Sequence, residues 1–112
     1  EEKNYVLKAN QVPVQYRLYQ NYPNPFNPVT VIKYQVPVPS KVTLRIYNIL
    51  GQEVVNLVDE IQDEGFMSVE WNSLNGDGRM VASGVYFYRL EAKSIAETNR
   101  LFRETGKMLL LR

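Results

Sequence analysis

The chain of 112 residues has no cysteine and no histidine. Those two absences exclude disulfides, thiol nucleophiles, imidazole bases and the ordinary ligand sets for zinc. A lack of cysteine does not fix a compartment, since exported bacterial domains also go without it. Net charge is nearly absent too, with 13 Lys and Arg against 12 Asp and Glu. That balance speaks against nucleic acid as a partner. The charge is unevenly placed, however: residues 93–112 carry Lys93, Arg100, Arg103, Lys107 and Arg112 against only Glu97 and Glu104.

No apolar run approaches the roughly 20 residues of a membrane-spanning helix. No stretch shows a 3.6-residue period, so helices are not expected. GxSxG, the P-loop and the Gly-rich phosphate turn are all missing. The acids fall in turns or on outward strand faces, so no carboxylate pair is set across a cleft. The expectation is a protein that is not an enzyme and uses no cofactor and no metal. The chain starts at Glu1 with neither methionine nor signal peptide. It reads as the excised end of a longer protein whose export signal lies elsewhere.

What the chain does contain is organised around Asn21 to Pro28, NYPNPFNP. Pro23, Pro25 and Pro28 each fix φ and lack an N–H, so no helix passes through. The residues before them are pushed toward extended backbone. Pro25 to Pro28 formally fits PxxP, a partner-ligand pattern. In context the stretch reads as a rigid strap that opens a domain, with Tyr22 and Phe26 expected to pack against it. Residues 1–15 read as a linker or the end of an upstream domain, and 16–112 as the domain itself.

Downstream, apolar and polar residues alternate in short runs. Ile32, Tyr34 and Val36 share one face, as do Val42, Leu44 and Ile46. These two runs, joined through Pro37 and Pro39, suggest antiparallel neighbours. Gly51-Gln52 is a turn before an irregular strand over 53–58. Residues 59–64 read as a polar turn. Met67, Val69 and Trp71 form the next inward face. A Gly-rich loop over 72–84 ends at Gly84, and Val85 to Ala92 follows as the strongest strand, with Tyr86, Tyr88, Leu90 and Ala92 facing in. A polar connection over 93–100 leads to a last strand or pair of strands, interrupted at Gly106. About seven short strands with frequent turns predict an all-β, immunoglobulin-like antiparallel β-sandwich, with a barrel as the alternative.

Two clusters invite ligand readings. Asp59, Glu60, Asp63 and Glu64, or the 75–78 turn, offer oxygens to calcium, but solvated turns explain both. Eight tyrosines and one tryptophan suit a sugar-binding surface, but Tyr34, Trp71, Tyr86 and Tyr88 fall on the core faces. The ending Lys107-Met108-Leu109-Leu110-Leu111-Arg112 is apolar on both faces of a strand. Such a strand is either central in its sheet or an edge that something must cover, and a partner adding a strand is one such cover.

Taken in order, QNYPNPFNP from Gln20, IxY at Ile32, LRIYNILGQEV from Leu44, VEW at Val69, VASGVYFYRL from Val81 and the ending KMLLLR resemble a family. It is the type A C-terminal sorting domain of the type IX secretion system of Bacteroidota, related to the immunoglobulin-like domain of flagellar hook-cap proteins. The resemblance implies a non-catalytic signal that directs a Sec-exported cargo through the periplasm to the outer-membrane translocon and its shuttle components. The cargo is then released to the cell surface or medium. It also implies clipping by a sortase-like surface peptidase within residues 1–15, an upstream cargo domain in the same chain, and recognition centred on Lys107 to Arg112. Gly106, where a lysine often precedes Lys107, departs from the pattern and predicts a bend. The alternatives are an assembly spacer and a carbohydrate-binding accessory domain.

Overall fold

The computed structural model describes residues 12–112. The clipping region and the apolar Tyr5-Val6-Leu7 run lie largely or wholly outside them. Seven strands follow in order: β1 (Arg17–Leu18), β2 (Thr30–Val36), β3 (Ser40–Tyr47), β4 (Glu53–Gln62), β5 (Gly65–Trp71), β6 (Gly84–Ser94) and β7 (Leu101–Leu110). They form two antiparallel sheets, β1-β2-β5 and β4-β3-β6-β7. The result is an all-β sandwich.

The alternating residues meet in its interior. Ile32, Tyr34 and Val36 from one sheet face Val42, Leu44, Ile46, Tyr88, Leu90 and Ala92 from the other, all essentially without solvent contact. β2 and β3 are therefore not neighbours in one sheet. Alternation shows which face is buried, and the Pro37–Pro39 connection carries the chain across to the opposite sheet instead of closing a hairpin. At the start of β6 the Tyr86 hydroxyl donates to the Ala82 carbonyl at 2.6 Å. That is the tyrosine corner of immunoglobulin-like sandwiches. Trp71 lies edge-on to Tyr86, with ring centroids 5.4 Å apart.

β4 runs longer than alternation predicts, and β7 is unbroken where an interruption is expected. β4 continues through 59–62, so Asp59 and Glu60 sit on a strand and point to opposite faces. Asp59 pairs with Lys41 at 2.7 Å, which holds its carboxyl below the usual range. The acids at 59–64 are thus spread over a strand and a turn. β7 is continuous through Gly106, with every residue from Leu101 to Leu110 in register against β6.

Candidate functional site

β7 is an edge strand, since its sheet has the order β4-β3-β6-β7. Its even-numbered residues face the core: Met108 and Leu110 are fully buried. Gly106 allows the close packing there. Tyr88 lies opposite it across the ladder, and a Cβ at 106 would fall inside the tyrosine ring. The glycine does not bend the strand; it seats a ring. Burial raises the Tyr88 hydroxyl pKa. The hydroxyl reaches past Gly106, accepts from the Asn21 N–H at 3.0 Å and donates to the Tyr19 carbonyl at 2.9 Å.

Those contacts tie β6 to the proline strap, and the strap in turn covers the outer edge of β7. Gln20 Nε2 donates to the Lys107 carbonyl at 3.0 Å, and Asn24 Oδ1 accepts from the Leu109 N–H at 2.9 Å. The Phe26 N–H donates to the Leu109 carbonyl, and the Phe26 carbonyl accepts from Leu111 N–H, both at 3.0 Å. Prolines 23, 25 and 28 supply no N–H, so asparagine and glutamine side chains complete the edge. Their three X-Pro bonds are cis.

The strap is anchored at both ends. Asn21 is buried and its amide donates to Thr30 Oγ1 at 2.9 Å and to the Pro23 carbonyl at 3.2 Å. Phe26 is buried against Trp71, with centroids 5.8 Å apart. Ser73 donates to the Pro28 carbonyl. Tyr22 is different: it is 79% exposed. It forms an antiparallel bridge with Val31, and directly opposed residues share a face. Val31 sits between buried Thr30 and Ile32, so its face, and the tyrosine with it, is turned outward.

With the core face buried and the outer backbone edge occupied, the terminal stretch leaves one face open. Lys107, Leu109 and Leu111 present it, with Arg112 beyond them. Lys107 is exposed, Leu109 is half-buried and Leu111 is 50% exposed. The Arg112 N–H donates to Ser83 Oγ at 3.1 Å. Gly84 opens β6 opposite Leu110. Gly51 takes φ +80° in the tight β3–β4 turn, a conformation that favours glycine. Gln20, Asn21 and Asn24 escape sequence reasoning, although polar side chains interleaved with N–H-less prolines were the signal. The four aromatic residues that alternation places on core faces are interior, as the reading against sugar binding requires: Tyr34, Trp71, Tyr86 and Tyr88 are at most 7% exposed. Among the described residues no group of three or more His, Cys, Asp or Glu is placed to hold a metal.

Residues 20–104 match a family model described as "Secretion system C-terminal sorting domain". No curated protein matches the chain. Among solved structures, dimeric latent PorU from Porphyromonas gingivalis is similar at a TM-score of 0.69 and 16% identity, over 86% of this chain and 9% of that one. PorZ, described as an essential bacterial surface component of the type-IX secretion system of P. gingivalis, is similar at 0.51 and 21% identity, over 85% and 11%. The chain spans about a tenth of each.

Proposed function

Because the chain belongs to the family of secretion system C-terminal sorting domains, we propose that it is the address read by the type IX outer-membrane translocon on a cargo joined upstream. In this reading the domain performs no chemistry. Its partners are the translocon, its shuttle components and a sortase-like surface peptidase that clips the chain within residues 1–15. The cargo passes through the periplasm and ends at the cell surface or in the medium.

The observation that carries the reading is the treatment of the last strand. An edge strand with two apolar faces is a hazard for aggregation. Here the edge is masked by the strap and one face by the core, so a single basic and apolar face is left to present. Strand addition along 107–111 is disfavoured while the strap is in place, so recognition runs through the side chains of Lys107, Leu109, Leu111 and Arg112.

The test is a reporter carrying this chain at its C-terminus in a bacterium with the secretion system. Deleting 107–112 removes core residues, so the informative variant changes only exposed ones: Lys107→Glu, Leu111→Ser and Arg112→Ser together. The reporter is expected to accumulate in the periplasm while the domain stays folded. Wild-type levels at the cell surface would sink the reading.

A further inference from the structure

The β3–β4 turn carries two aliphatic side chains in the open: Ile49 is 70% exposed and Leu50 78%. Turn positions of this kind ordinarily hold polar residues or glycine. The turn is nonetheless tightly determined. Asn48 Oδ1 accepts from the N–H groups of Leu50 at 2.9 Å and Gln52 at 3.0 Å. The Asn48 N–H donates to the Gln52 carbonyl, the Gly51 N–H to the Asn48 carbonyl, both at 3.0 Å, and the two side-chain amides meet at 2.8 Å. Ile49 and Leu50 are thus held in solvent by a rigid frame.

Ile49 overhangs a depression of about 160 Å³ on the outer face of the four-stranded sheet, with Tyr47, Phe87, Arg89 and Thr105 among its lining. An apolar cavity of 150 Å³ takes a benzene ring, so this one has room for one side chain. Phe87 lies opposite Lys107 in the β6–β7 ladder. The depression therefore joins the exposed face of the last strand, where Val85 and Leu109 line a second hollow beside Lys107.

The same outer face is basic. By register it displays Lys41, Arg45, Arg89, Lys93, Arg103 and Lys107 against Glu53, Asp59 and Glu91, a surplus of three positive charges. The three acids are already engaged, by Arg45, Lys41 and Arg103. Arg89 instead lies 4.8 Å over the Tyr47 ring. Neither Arg89 nor Lys107 has an ion pair among the described residues. A surplus of like charge opposes closure of this face on a second copy of itself.

We propose that the outer face of β3, β6 and β7, walled by the Ile49–Leu50 turn, docks a partner protein that inserts an apolar side chain flanked by carboxylates. The proposal rests on the sorting function above. It makes the address a composite of the exposed face of β7 and a turn 58 residues before Lys107 in sequence (107 − 49). Apolar anchors in a pocket supply the affinity of such contacts, and complementary charge steers the encounter.

The test uses the same reporter with Ile49→Ser and Leu50→Ser together. Both residues are exposed, so the melting temperature of the domain is expected to hold. The surface-exposed fraction is expected to fall about ten-fold, and adding the charge reversals Arg89→Glu and Lys93→Glu is expected to lower it further. Wild-type export by the turn variant, when the Lys107/Leu111/Arg112 variant is blocked, overturns the composite surface and leaves the sorting function standing. Wild-type export by both overturns both. A concentration-dependent dimer that the turn variant dissolves also overturns it, since the face would then belong to a second copy.

Discussion

Tyr88 on β6 occupies the space that any side chain at Gly106 on β7 would need. One glycine thereby allows a ring to cross the last strand and grip the strap through Tyr19 and Asn21. A glycine within a strand often marks such a close approach.

Gly106→Ala is expected to lose about 1–3 kcal/mol, the usual range for overpacking a filled interior. Denaturant titration reads this as a lower midpoint. An unchanged midpoint would show that the Tyr88 ring moves aside freely.

Tyr88→Phe keeps the ring and removes the hydroxyl. It leaves the buried Asn21 N–H without its acceptor, at a cost of about 1–3 kcal/mol. Thermal or denaturant unfolding checks the value, and a neutral substitution would mean that water replaces the hydroxyl.

Asn24→Ala uncaps the Leu109 N–H on the outer edge of β7. Amide exchange at Leu109 is expected to quicken well beyond that at Met108, whose N–H points to β6. Total stability should fall by only about 0.5–1.5 kcal/mol, the net worth of one hydrogen bond. Equal protection in both proteins would dismiss the side-chain cap.

High pH should unfold the domain through its interior tyrosines. Burial raises the Tyr34 pKa from 10.0 to about 12, partly offset by its hydrogen bond to Gln62. Tyr86 and Tyr88 are raised as well, also by burial. A raised folded pKa means that the unfolded chain loses its proton first. The stabilisation is therefore complete below pH 10 and is lost as pH climbs toward 12. Melting temperature measured across that window should drop, and Tyr34→Phe should flatten part of the drop. A melting temperature level up to pH 12 would contradict the burial of these rings.

The strand faces were legible because alternation at period two is a local property: Ile32, Tyr34, Val36, Leu44 and Leu90 declare their burial from their immediate neighbours. Sheet membership was not, since β2 and β3 show the same pattern whether they pair or face each other across the core. The polar run at 59–62 hid four residues of β4, because both edge and outer-face positions tolerate charge. Gly106 looked like a break, because its reason, Tyr88, lies on another strand. The largest omission at the candidate site was the strap itself. Its contacts with β7 link residues 85 and 87 positions apart, and no local pattern reports a partner so distant. The exposed Tyr22 follows from the same limit, since its face is decided by Val31.

β1 pairs at the Val36 end of β2, with Tyr16 stacked on Phe102 near the start of β7, and the chain then leaves at the far end of that strand. Residue 16 and residue 111 therefore sit at opposite poles, about 30 Å apart for a ten-residue strand. A pull between those poles runs along β7 and loads its ladder with β6 in shear. All of the ladder's bonds then share the force, whereas a pull across the sheet would open them one at a time. Tension applied between residues 16 and 111 thus meets the fold along its mechanically strong axis, and force spectroscopy with handles at those positions measures that resistance directly.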